Sequence, residues 1–261
     1  MKFKPLYTSI DLLPAVSFSE IGEKPANEDY LFPNEECLSD EFQAFICCDG
    51  VGGAPSGEIA SKIACHSIAE YFDHYPNTIH DARFMQNVVA FAREKMMAYE
   101  NKQPESKGMK TTLTTVSFHQ AGATLAWMGD SRIFQVRDGE ILYQTWDHSY
   151  VNRLVEQGLL TVEETRHHPK RNIITKTLGT AKSERIPELK MISDIQTDDY
   201  FLLCTDGLLE RLTDRHISKW LVKKEEPERI KEKILDHCMG KTHDNFSMIL
   251  IKIKRANSDG D

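Results

Sequence analysis

The sequence predicts an α+β fold in which antiparallel sheets carry helices on their outer faces. Three observations lead there. Strand-sized apolar runs recur along the chain, rich in β-branched and aromatic residues: 15–19, 42–48, 112–118, 123–128, 132–137, 200–204 and 246–253. The four runs between 112 and 144 follow one another with no room for helices, which argues against a doubly wound parallel sheet. Between the early strands sit two long stretches with helical spacing, so helices exist but are segregated from the sheet region.

The elements follow from local chemistry. Asp138-Gly139, between "RIFQVR" and "EILYQ", is a two-residue hairpin signal. In 57–75 the residues Ile59, Ile63, Ile68 and Phe72 fall near one helical face; in 82–101, Phe84, Val88, Phe91, Met96 and Tyr99 do the same. Shorter helices are expected at 149–158, 161–167, 214–224 and 227–239. The stretch "HHPKRNIITKTLG" (167–179) reads as a loop, and the polar end "RANSDGD" as a fraying tail.

Composition narrows the function. The 261 residues are 40% hydrophobic and 28% charged, ordinary for a soluble globular protein, with a net charge of −8. No basic cluster offsets that charge, which argues against nucleic acid and anionic membranes as partners. No run spans a bilayer and the start lacks a secretory h-region, so a cytoplasmic protein is expected. The six cysteines form no C-x-x-C pair; Cys47, Cys48 and Cys204 lie in strand-like runs and read as buried, reduced thiols.

The stretch 42–72 carries the first chemical signal. An apolar run ends in Asp49, followed by Gly50, Gly52, Gly53 and Gly57. Gly52 and Gly57 have P-loop spacing, but Glu58 stands where the lysine must be; Pro55 breaks a dinucleotide fingerprint. An aspartate amid bare backbone suits a hard cation, or caps the helix that starts near Ser56. The same grammar recurs at Gly129-Asp130, at Asp206-Gly207, and at Asp244-Asn245 and Glu28-Asp29 before strands. Each alone is an ordinary turn. Together, carboxylates gathered at strand ends repel one another unless divalent cations bind.

In order, "NEDY", "DGVGGAPSGEIAS", "GMKTTLTTV", "GDSR", "WDHS", "LCTDGL" and "HDN" resemble the metal-dependent serine/threonine protein phosphatases of the PP2C (PPM) family in their compact bacterial form, from about residue 14 to residue 253. The resemblance implies a four-layer α/β/β/α sandwich of two mainly antiparallel sheets flanked by helix pairs, one domain over 1–253 with a flap within 150–185 and a disordered tail over 254–261. It implies two Mn2+ or Mg2+ ions. Asp49 would bridge them, the Gly50 carbonyl would bind one, Asp206 and Asp244 the other, and Glu28 would act through water. Asp130 with Asp206 would serve a weaker third site, and Asp29 would orient the cluster. Phosphoserine and phosphothreonine in a protein would be hydrolysed by metal-activated water, which sets Asp49, Asp206 and Asp29 as the catalytic group. The implied partners are a phosphorylated protein and a Ser/Thr kinase whose targets, or whose own phosphorylated form, it reverses; a monomer is expected.

Some positions depart from the family pattern. Lys24 stands where an arginine binds the substrate phosphate, and a lysine lacks the bidentate fork. Val51 replaces the histidine of animal relatives. His148 reads as a structural histidine tying down the helix after Ser149, with Asp147 as candidate partner. Lys110 stands where a glycine is usual. A fold-retaining regulatory module and a small-molecule phosphoesterase are the competing functions.

Overall fold

The computed structural model describes residues 6–34, 43–76, 78–165, 167–181 and 186–258. Cys37, the first residue of the 42–48 run, part of the flap region and residues 259–261 of the tail lie outside them.

In chain order the strands are β1 (Tyr7–Leu12), β2 (Val16–Glu20), β3 (Asp29–Phe32), β4 (Ala44–Asp49), β5 (Lys110–Thr111), β6 (Leu113–His119), β7 (Gly122–Met128), β8 (Arg132–Arg137), β9 (Glu140–Gln144), β10 (Leu178–Gly179), β11 (Glu188–Ile192), β12 (Tyr200–Cys204) and β13 (Phe246–Ser258). The helices are α1 (Gly57–His74), α2 (Ala82–Lys102), α3 (Tyr150–Glu156), α4 (Val162–Thr165), α5 (Asp206–Leu209), α6 (Asp214–Trp220) and α7 (Pro227–Cys238). One sheet runs β1-β13-β12-β8-β9, with β2 also on β13; the second runs β11-β7-β6-β4-β3. All pairings are antiparallel.

Alternation along the strands sorts side chains into three apolar layers. In β6, Val116 and Phe118 face the other sheet, where they meet Phe201 and Ile249, while Leu113 packs under α1 and α2. On the far side Phe134, Tyr200 and Leu202 pack against Ile217, Ile230 and Ile234 of α6 and α7. The order helix, sheet, sheet, helix is the four-layer sandwich. Successive burial of all five residues in β12 follows from being covered on both faces.

Local chemistry explains the hairpin as expected: Asp138 and Gly139 both take positive φ (45° and 83°), and Arg137 pairs with Glu140. The buried face of α1 differs from the expected one. Ala60, Ala64, Cys65, Ile68 and Phe72 are buried, while Ile59 and Ile63 are only half-buried. Small residues let the helix lie close to the sheet, and the larger isoleucines flank the contact. The tail also differs from its reading as a fraying end: β13 continues to Ser258, because β1 pairs with residues 253–258 and supplies the missing hydrogen bonds. Cys47, Cys48, Cys65, Cys204 and Cys238 are free and buried. No helix among the described residues is long and apolar enough to cross a membrane.

Candidate metal centre

The predicted site residues come from both sheets and meet at one end of the sandwich. Asp49 closes β4, and Asp29, at the start of β3, is paired directly opposite it. Asp130 lies in the β7–β8 connection, Asp206 begins α5 just after β12, and Asp244 precedes β13. Asp130, Asp206 and Asp244 line one cleft of about 800 Å³, together with Arg132, Arg171 and Arg211.

Asp49 does not cap α1: Ser56 holds the N-cap position in a left-handed conformation, with no side-chain cap bond. The turn is instead shaped by close approach. A Cβ on Gly50 would stand 2.4 Å from the Gly57 carbonyl carbon, so only glycine lets the β4–α1 turn fold back on itself. The Gly50 amide donates to the Glu28 carbonyl at 3.0 Å, which fixes Glu28 beside the turn. Thr112 braces the other side: its Oγ1 accepts from the Asp49 amide (2.9 Å), and its amide donates to the Asp49 carbonyl (2.7 Å).

Asp29 joins the two sheets. Its Oδ2 accepts from Thr205 Oγ1, just past the end of β12, at 2.9 Å and from Ser247 Oγ of β13 at 2.7 Å, both from the opposite sheet's side. Asn245 does the same work from the β13 side. Its Oδ1 accepts from the Glu28 amide at 2.9 Å, and its Nδ2 donates to the carbonyls of Ile21 (2.7 Å) and Ala26 (3.0 Å). Sequence reasoning assigned no role to Thr205, Ser247 or Asn245. Asn245 and Thr205 were visible within the "HDN" and "LCTDGL" motifs; Ser247, inside the last apolar run, carries no signal of its own.

Electrostatics in the cleft is dominated by enclosure and mutual repulsion. Burial, then the charges of Asp29 and Asp206, push the Asp49 carboxyl well above its ordinary range. Burial raises Asp29 to about 7 against the pull of its two hydroxyl donors, and raises Asp130 to about 8 with the charge of Asp206 adding to it. Asp206 is raised to about 6 by burial and by Asp244, while a hydrogen bond with Asp49 opposes the shift. Glu28 is raised by burial and by Glu58.

The donor set fits a hard divalent cation. It consists of oxygen alone, and the buried Oδ1 atoms of Asp29 and Asp130 have no hydrogen-bond partner. Among the described residues no three His, Cys, Asp or Glu side chains close up into a ready-made cage. Like charges have no reason to converge by themselves, and Asp244 is drawn to Lys24, whose Nζ stands 2.8 Å from its Oδ1. Lys24 therefore meets a carboxylate of the cluster rather than standing as a free surface charge.

Two other expectations resolve locally. His148 is structural, as expected: its Nδ1 accepts from the Gly129 amide, its amide donates to Gly129 O, and its carbonyl accepts from Thr175. Asp147 is not its partner. It forms a bidentate pair with Arg132 (2.7 and 2.6 Å), while His148 Nε2 lies 3.3 Å from Glu188, because β11 rather than the 147 turn faces the ring. Lys110 pairs with Gly179 across β5–β10, and its carbonyl accepts from the Val51 amide, so the residue anchors the glycine-rich turn through its backbone.

Comparison with known proteins identifies the family and the fold. The model of the family described as Protein phosphatase 2C matches residues 19–236. The chain is 33% identical over 184 residues to the serine/threonine protein phosphatase PstP of Mycobacterium tuberculosis; the match covers 70% of this chain and 35% of that protein, so the chain spans about a third of that relative's length. It is 32% identical over 203 residues to the protein phosphatase PhpP of Streptococcus pneumoniae, covering 76% of this chain and 80% of the relative. Among solved structures, the serine/threonine phosphatase Stp1 of Staphylococcus aureus superposes with a TM-score of 0.79 at 31% identity, covering 97% and 99% of the two chains. The catalytic domain of PstP in complex with two manganese ions superposes with a TM-score of 0.78 at 27% identity, covering 93% and 99%. A family match over most of the sequence, and a backbone shared end to end with these bacterial phosphatases, establish that the chain belongs to the protein phosphatase 2C family.

Proposed function

We propose that this protein removes phosphate from phosphoserine and phosphothreonine in protein substrates, using two divalent cations, Mn2+ or Mg2+, held at the sheet-end cleft. The observation that carries the reading is the meeting of Asp49, Asp130, Asp206 and Asp244 from four distant strand ends, with the carboxyls of Asp49, Asp130 and Asp206 raised by burial and by one another's charge. Asp49 is assigned as the bridging ligand, with the Gly50 carbonyl on one ion, Asp206 and Asp244 on the other, and Glu28 acting through water. Asp130 and Asp206 are assigned to a weaker third site. Residues 1–253 are read as one catalytic domain, with the flap inside 150–185.

Ions bound there would supply the acidified water and the charge neutralisation that phosphate-ester hydrolysis lacks in bulk solvent. The chain supplies the rest. Asp29 locks the two sheets in register, so that Asp49 and Asp206 face each other. The cleft also holds Arg171 and Arg211, cations that would attract an anionic substrate, while Arg132 is already paired with Asp147. Lys24 is assigned to the substrate phosphate as a point charge. The partners in this reading are a phosphoprotein and the Ser/Thr kinase that makes it, and the protein acts as a monomer in signalling.

Hydrolysis of p-nitrophenyl phosphate and of a phosphothreonine peptide, with and without Mn2+, tests the reading. Turnover that needs the metal and disappears in Asp206→Asn supports it. A folded protein with no metal-dependent turnover would make the chain a binding module, and preference for nucleotides over phosphopeptides would make it a small-molecule phosphoesterase.

A further inference from the structure

Lys24 is held to the cluster by more than its own ion pair. Residues 23 and 24 each meet a residue of the segment just before β13. His243 Nδ1 meets Glu23 Oε2 at 2.6 Å, and Lys24 Nζ meets Asp244 Oδ1 at 2.8 Å. The Glu23 amide donates to the His243 carbonyl, and Asn245 clamps the loop at Ile21 and Ala26. The ammonium is thus delivered to Asp244 by a braced loop. Its pKa is raised, first by the bond to Asp244 and further by the charges of Asp244, Glu28 and Asp206. Asp244 Oδ1 also accepts from the Asn245 amide at 2.9 Å, so that oxygen already takes two donors.

Resting on the assignment of Asp244 as a metal ligand, we propose that Lys24 is a tethered counter-cation that competes with the divalent ion for Asp244, so that metal loading frees its ammonium for the substrate phosphate. A divalent ion on either oxygen of Asp244 meets a positive charge at close range, and one of the two must give way. The lysine is the one that can move. It sits at the end of four rotatable bonds and is 43% exposed, beside an Asp244 that is 40% exposed. The arrangement links two events at one carboxylate: an empty centre keeps its phosphate-binding cation occupied, and a loaded centre presents it. An arginine at the same position would hold Asp244 through a fork and would release it less readily.

The test measures metal binding without substrate. Mn2+ is titrated calorimetrically into the stripped full chain of the wild type, Lys24→Gln, Lys24→Arg, Asp244→Asn and, as a charge control, Lys62→Gln on α1. Because the pair is partly exposed, Lys24→Gln is expected to bind Mn2+ roughly 2- to 5-fold more tightly, with Lys24→Arg no tighter than wild type and Lys62→Gln close to it. Equal or weaker binding by Lys24→Gln overturns the proposal, and so does equal tightening by Lys62→Gln, which would reduce the effect to net charge. If Asp244→Asn weakens Mn2+ while Lys24→Gln changes nothing, Asp244 stands as a ligand and the competition alone falls. If Asp244→Asn binds as tightly as wild type, both fall. A second arm labels lysines with limiting N-hydroxysuccinimide acetate and reads the Lys24 peptide by mass spectrometry. Saturating Mg2+ is expected to raise Lys24 modification about 2-fold or more; unchanged or lower modification overturns the release step.

Discussion

Asp29 and Thr205 join the two sheets through a single 2.9 Å hydrogen bond between side chains 176 positions apart in sequence. Thr205 precedes Asp206 along the chain, and Asp29 stands opposite Asp49 in the β3–β4 pair, so the bond links the backbones that carry these two candidate ligands and sets their separation. Ser247 completes the arrangement from β13. Removing either hydroxyl leaves a buried carboxylate with one fewer donor. Thr205→Val and Ser247→Ala are each expected to cost about 1–3 kcal/mol of stability. Because both act on Asp29, the double variant should depart from additivity. Denaturant unfolding of the two singles and the double checks this; strictly additive losses would mean that the hydroxyls act independently of the carboxylate.

Replacing Asp206 with Asn should separate stability from activity. Turnover is expected to fall roughly 100- to 1000-fold or more. In EDTA at pH 8, however, the variant should unfold later than wild type by about 1 kcal/mol or more, because ionising a group whose pKa is raised to about 6 works against the fold. A less stable variant under those conditions would contradict the picture of an internally repelling cluster.

Gly50→Ala places a methyl group 2.4 Å from the Gly57 carbonyl, against backbone that has no rotamer to change. A loss of about 2 kcal/mol or more is expected. Mn2+ affinity should fall with it, since the same turn carries Asp49. A variant with wild-type melting temperature and Mn2+ binding would show that the turn relaxes freely.

At the opposite end of the second sheet, His80 and His119 stand 5.3 Å apart between ring centroids. Burial holds His80 down to about 3, with His119 adding to the effect, and burial holds His119 down to about 4. Unfolded, each titrates near 6.5. Below that pH the unfolded chain takes up protons that the folded one refuses, so stability present above pH 6.5 is lost as pH falls toward 3–4. The cleft carboxylates act in the opposite sense, because their raised pKa values favour proton uptake by the folded form. The useful quantity is therefore the difference between wild type and His80→Asn. Whatever the variant loses at pH 7.5, its deficit should narrow by about 2 kcal/mol between pH 6.5 and 5. A deficit independent of pH would mean that His80 is not held neutral.

Much of the architecture was legible in the sequence because it depends on short-range order. The hairpin at Asp138-Gly139, the run of four strands after residue 112 and both long helices follow from turn chemistry and periodicity. Strands β1 and β11 were not legible. Both are edge strands with mixed exposure, and they exist because β13 and β7 offer unpaired backbone to them.

The aspartates at strand ends, and the family they belong to, could be read from the chain alone, because each follows or precedes an apolar run that a sheet must bury. Which oxygens meet, and what holds them, belonged to the tertiary structure. Thr205, Ser247 and Asn245 act on Asp29 and Glu28 across two sheets, and Lys24 reaches Asp244 across 220 positions of chain, the same span that separates Glu23 from His243. Sequence spacing encodes only neighbours along the chain. These contacts arise when two twisted sheets pack face to face and bring their ends into one plane, a relation that no local pattern carries.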